Sequence, residues 1–144
     1  MVGYIVSYTG DEPIKLGGGD HLILDFTSEQ PIYIQLAEAI EDDILKGIMG
    51  EDTQIPSTTE MSVVLQINPA TARKGVNLLV DEEILYKKRG VGMFVTVGAR
   101  KMIMRKRRAR FYESFVVALM DEAEKLDISR QELVEMIEGG MPDE

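Results

Sequence analysis

Between Ile55 and Val95 the chain starts two short helices about a dozen residues apart and then doubles back around a cationic tip, an order that few folds accommodate. Ser57-Thr58-Thr59-Glu60 has the form of a capping box. In it the Ser57 hydroxyl accepts from the backbone N–H of Glu60, and the Glu60 carboxylate reaches back to the N–H of Ser57. Met61, Val64 and Leu65 give that helix an inward face. The turn Gln66-Ile67 leads to Asn68, an N-cap residue, and to Pro69, which suits the first helical position because an N–H is not needed there. Ala72, Val76, Leu79 and Val80 form the inward stripe of this second helix, leaving Ala70, Thr71, Arg73, Lys74 and Asn77 outside. Ile84 to Val95 reads as two short strands around Lys87-Lys88-Arg89-Gly90-Val91-Gly92, where glycine permits positive φ and a close backbone approach to a phosphate. These signals predict a winged helix-turn-helix, with the helix-turn-helix at about 58–77, a unit that sets one helix in the DNA major groove and a loop beside it.

A net charge of −9 suits a polyanion partner only once it is divided along the chain. Residues 56–112 hold twelve Lys and Arg side chains against four carboxylates, a local charge of +8, and the remainder carries −17. Phosphate affinity follows the field within about 8–10 Å, so this segregation outweighs the sum. Five of the cations, Arg105, Lys106, Arg107, Arg108 and Arg110, crowd one short stretch.

The flanks divide the chain into three expected regions: an arm over 1–27 of no assigned role, a DNA-binding domain over 28–98, and a helical tail over 99–144. In the arm, β-like runs at Tyr4-Ile5-Val6 and Leu22-Ile23-Leu24 flank glycine breaks at Gly10 and Gly17-Gly18-Gly19. From Ile32 the period turns helical. Tyr33, Leu36, Ala37, Ile40, Ile44 and Leu45 form one stripe, and Glu38, Glu41, Asp42 and Asp43 are assigned to the opposite, solvent-facing side, away from DNA. Pro31 suits the start of this helix and Gly47 its stop. After Gly98 a single long helix is expected from Ala99 to Leu126. Ala109, Tyr112, Val116, Leu119, Ala123 and Leu126 alternate three and four apart, as in a heptad seam that wants a partner helix, with Phe115 beside it. Ser129 caps a last helix, about Arg130 to Glu138. Two such amphipathic helices predict a symmetric homodimer.

These residues resemble the GntR family of bacterial transcription regulators, and within it the small YtrA-like branch, over roughly residues 26–138. The family's opening stands here as Pro31-Ile32-Tyr33-Ile34-Gln35, its leucine-proline-serine element as Ile55-Pro56-Ser57, and its asparagine-proline helix start as Asn68-Pro69, with Thr71 and Arg73 in register. The wing motif is Arg89-Gly90-Val91-Gly92-Met93-Phe94-Val95, and Lys125–Leu133 resembles the loop and last helix of the branch's dimerisation tail. Two positions depart. Thr59 stands where the family commonly carries a DNA-touching arginine, and Asp52 where it has a glycine before the leucine-proline-serine element. The resemblance implies a cytoplasmic, nucleoid-associated homodimer that binds double-stranded DNA at a palindromic operator. It further implies a repressor of a transporter operon, with any small-molecule effector at the dimer interface, since a 46-residue tail is too short to enclose a typical metabolite site.

The candidate DNA-contacting residues are therefore Ser57, Thr58 and Thr59, then Asn68, Ala70, Thr71, Arg73, Lys74 and Asn77, then Lys88, Arg89, Gly90, Val91 and Gly92. Two further classes compete with the regulator. One is a winged-helix interaction adaptor that has lost specific DNA binding. The other is a peripheral membrane binder, disfavoured because Met102, Ile103 and Met104 are consecutive rather than one-sided. No membrane span, metal site, cofactor or enzyme activity is expected. The chain has no cysteine, one isolated histidine (His21), no serine elbow and no phosphate loop.

Overall fold

Helix α1 (Ile32–Leu45) begins directly after Pro31, whose extended ψ of 143° and open carbonyl start the helical ladder by accepting from the N–H groups of Ile34 and Gln35. The computed structural model describes residues 24–139 together with strand residues 8–9 and 12–13, and the chain divides into two compact units, Met1–Met104 and Arg105–Glu144. β1 (Tyr8–Thr9) and β2 (Glu12–Pro13) pair antiparallel on either side of Gly10. The expected run Tyr4–Val6, the glycine triplet, His21 and the first two residues of Leu22–Leu24 lie outside the described residues.

In the first unit α1 packs against α3 (Pro69–Asp81), and α2 (Thr58–Leu65) closes the other side of α3. Leu36, Ile40 and Ile44 of α1, Met61 of α2 and Ala72, Val76 and Leu79 of α3 form the core, joined by Leu24 before α1 and by Ala99 and Ile103 at the start of α4 (Ala99–Phe111). Burial of a large aliphatic side chain is worth about 1.5–3 kcal/mol, so this shared apolar face is the main force seating α3. Leu24 is held in place by Gln35. Its side chain accepts from the Asp25 N–H at 2.7 Å and donates to the Asp25 carbonyl at 2.8 Å. Thr27 then donates to the Asp25 carboxylate from its hydroxyl (2.6 Å) and its backbone N–H (2.9 Å), which holds that carboxyl below the usual range.

The acidic side of α1 is not uniformly solvated. Glu41 and Asp43, expected on the outer face, are only 1% and 3% exposed. The helical period explains it: Glu41 follows Ala37 by four residues and Asp43 follows Leu36 by seven, so both border the apolar stripe rather than oppose it. The turn after α1 also folds back, with the N–H groups of Ile48 and Met49 both donating to the Asp43 carbonyl.

The wing is β3 (Leu85–Lys88) paired antiparallel with β4 (Gly92–Val95), Lys87 opposite Met93 and Lys88 opposite Gly92. A third extended piece, unforeseen in the sequence, adds to it. Asp52 donates to Val95 (2.8 Å), Val95 to Thr53 (3.0 Å) and Ile55 to Met93 (2.9 Å), all between backbone groups. In the second unit the expected uninterrupted helix to Leu126 is broken by a π-helical stretch, Tyr112–Val117, before α5 (Ala118–Lys125). A π turn admits an extra residue, so the three-and-four spacing of Ala109 and Tyr112 no longer lines up with that of Leu119 and Leu126, and the straight heptad seam is lost. Asp127, at φ 55°, turns the chain into α6 (Arg130–Ile137), whose start carries a complete capping box between Ser129 and Glu132.

Candidate nucleic-acid interface

Both helix starts carry their N-cap bonds, but of the capping box expected at α2 only the Ser57 half forms; the return bond from the Ser57 N–H to the Glu60 carboxylate is not made. Ser57 Oγ accepts from the Glu60 N–H at 3.0 Å, and Asn68 Oδ1 accepts from the Ala70 N–H at 2.8 Å with Pro69 at the first helical position. The left-handed Gln66 (φ 53°) makes the tight turn between them. Asn68 thus has its side-chain oxygen engaged in the cap, and Thr71 is half-buried, while Ala70, Arg73, Lys74 and Asn77 are exposed on α3.

Between the start of α2, the outer face of α3 and the wing lies an open groove of about 770 Å³. Ser57 and Thr58 of the α2 start, Arg73 and Asn77 of α3, and Val91 and Gly92 of the wing all line it, so six of the candidate residues converge on one concavity. Its floor is Ile55, Val76 and Val80, and Glu60 is the acidic group on its wall. Thr59 is exposed outside that lining, and Arg89 and Gly90 form the solvent-exposed wing turn, closed by the Val91 N–H on the Lys88 carbonyl at 3.0 Å. Gly90 has φ 76°, a conformation that strains any residue with a Cβ.

Two candidate cations are turned elsewhere. The Lys74 ammonium lies 4.0 Å from the centroid of the Tyr33 ring on α1, and the Lys88 ammonium lies 4.3 Å from that of Phe94, which stacks on Tyr86 at 5.6 Å. A cation held over an aromatic face gains about 0.5–1 kcal/mol at an exposed site, so both have a competing berth. Lys87, absent from the candidates, lines the groove instead. Strand alternation carries the signal: Lys87 is paired with groove-lining Met93, whereas Lys88 is one residue out of phase. Gln54 is a second groove residue without a sequence signal.

The unusual Asp52 is accommodated rather than strained loose. Its backbone is left-handed, φ 58°, as a glycine position requires, and its carboxylate accepts from the Tyr86 hydroxyl at 2.7 Å. That hydrogen bond to a carboxylate pushes the Tyr86 phenol above its ordinary pKa.

In the tail, Phe111, Tyr112, Phe115, Leu119, Leu126, Val134 and Ile137 are all exposed, the most open of them, Ile137, at 72%. Of the expected dimer seam, Ala109 is exposed and Val116 half-buried. Ala123 is already buried within the chain, leaving Tyr112, Phe115, Leu119 and Leu126 as the apolar surface on offer. No helix of the described residues is long and apolar enough to cross a membrane.

Residues 32–95 match the family described as bacterial regulatory proteins, gntR family. A solved GntR-family transcriptional regulator from Bacteroides thetaiotaomicron is 36% identical, with 74% of this chain and 92% of that one covered and a TM-score of 0.60. The HTH-type transcriptional repressor YtrA of Bacillus subtilis is 28% identical over 123 residues, 81% of this chain and 95% of YtrA. The HTH-type regulator YurK of the same organism is 36% identical over 73 residues, and there the chain spans only 30% of its relative.

Proposed function

The chain belongs to the GntR family of DNA-binding transcriptional regulators, and from that premise we propose that it acts as a homodimeric repressor reading a palindromic operator through the groove between α3 and the wing. One observation carries this reading: the exposed Arg73 and Asn77 of α3 share a single open groove with the α2 start and Lys87 of the wing. A guanidinium there reaches a guanine edge and Asn77 an adenine edge, while Lys87, Arg89 and the backbone N–H groups of the wing hold phosphates. Repression is the function named for YtrA, which the chain matches over nearly its whole length. A transporter operon is the target class the resemblance points to.

The exposed apolar side chains of the tail supply the reason for a dimer, because Phe115 at 65% and Leu126 at 61% are costly to leave in water. An effector that biases the angle between two such tails would change how both α3 helices meet successive major grooves, and the exposed Tyr112 and Phe115 are the residues we assign to its site. Selection of bound fragments from sheared genomic DNA of the source organism, followed by sedimentation of the protein alone and with the selected duplex, tests the reading. Enrichment of a sequence with half-sites about 10 bp apart, bound by two copies, is expected. A folded dimer that enriches no sequence would leave the interaction-adaptor reading in its place.

A further inference from the structure

We propose that Gln54 is the positioning residue of the wing, a side-chain strut that fixes the tip over the groove; this rests on the reading of the groove as the DNA interface. The segment Asp52–Ile55 pairs with β4 through three backbone hydrogen bonds and runs directly into Ser57, the cap of α2. It therefore ties the wing to the helix-turn-helix. Among the described residues its backbone ladder ends at Ile55 and Met93, one residue short of Gly92 and the turn. Gln54 extends it. Its Nε2 donates to the Val91 carbonyl at 2.9 Å, joining positions 37 residues apart at the wing tip.

Gly92 is the complement of this strut. A Cβ at Gly92 would collide with the Gln54 carboxamide, and φ of 147° is itself closed to most side chains. The glycine thus serves both the backbone and the passage of Gln54 across it. The strut matters because a two-stranded ribbon is marginal by itself, and beyond the last β3–β4 pair, Lys88 with Gly92, the turn carries the bond from Val91 to Lys88. Contacts to phosphate set register only if the loop that makes them is already in place, since ordering it on binding weakens affinity. Gln54 does not need to touch DNA to matter.

Gln54→Met keeps the length of the side chain, adds no charge and removes the donor. Hydrogen exchange of the Val91 amide, which reports closure of the turn, should quicken about three- to tenfold, the range one hydrogen bond supplies. The α3 amides should keep their protection and the melting temperature should hold. Affinity for the consensus duplex that the wild-type protein selects from a random-sequence pool should fall by the same factor. Unchanged Val91 exchange overturns the strut. So does a uniform loss of protection with a lower melting temperature, which would make Gln54 an ordinary fold residue. A looser tip with undiminished affinity overturns its role in binding. If the wild-type protein selects no duplex, the regulator reading fails, and the exchange result still decides whether Gln54 holds the wing.

Discussion

Gly75 sets two local effects against each other at the point where the recognition helix meets its support. It lies inside α3, where alanine is better than glycine by about 1 kcal/mol, so propensity alone says that Gly75→Ala stabilises. The packing says the reverse. A Cβ at Gly75 would stand 2.8 Å from the Tyr33 carbonyl oxygen and 3.2 and 3.3 Å from the Cδ2 and Cβ of Leu36. Carbon and carbonyl oxygen ordinarily approach to about 3.3 Å, so α1 and α3 must part by roughly 0.5 Å. Neither neighbour can swing aside, because one is main chain and the other, Leu36, is 0% exposed. Overpacking of this kind costs about 1–3 kcal/mol. Offset by the propensity gain, a net loss of about 1 kcal/mol remains, and parting α1 from α3 also disturbs the Lys74–Tyr33 contact. Urea unfolding of both proteins, followed by helical circular dichroism, should show a lower midpoint with an unchanged slope. A variant as stable as the wild type, or more so, would refute the claim that close backbone approach seats α3.

Four other outcomes are expected. Arg73→Ala should cost about 1–3 kcal/mol on the selected duplex and little on random DNA, measured by fluorescence anisotropy; equal losses on both would assign it to phosphate alone. Lys87→Ala should weaken binding to every duplex and reduce the salt slope by about one unit, with a smaller change for Lys88→Ala because its ammonium rests on Phe94; the opposite ranking contradicts the groove geometry. Leu119→Glu combined with Phe115→Glu should convert a dimer to a monomer in sedimentation, and a persistent dimer would place the interface elsewhere. Tyr86, with its pKa raised in the fold, contributes stability that is fully present below its unfolded value near 10 and is lost as pH rises through the folded value. Tyr86→Phe should therefore be less stable at neutral pH and lose less stability between pH 9 and 11, and parallel curves for the two proteins would remove Asp52 as its partner.

What the sequence by itself determined lies within four residues along the chain. Ser57, Asn68-Pro69 and Ser129 mark helix starts that the structure places where those caps predict, and the apolar periods of α1 and α3 pick out the core face, because capping and the 3.6-residue repeat are local physics. The wing was legible for the same reason, from Gly90 and the alternation on either side of it. Tertiary structure decided whatever depends on a surface brought from elsewhere. Asp52–Ile55 bridges to the wing because β4, some forty residues on, offers free backbone groups; nothing in its own composition marks it for that pairing. Gly75 is demanded by Tyr33, and the reach of Gln54 by Gly92, pairings invisible until the elements pack. Lys74 and Lys88 are drawn onto aromatic rings, while Lys87 is left to the groove. A cation's sign is written in the sequence, but its direction is set by whichever carbonyl, ring or solvent the folded neighbours leave within its reach.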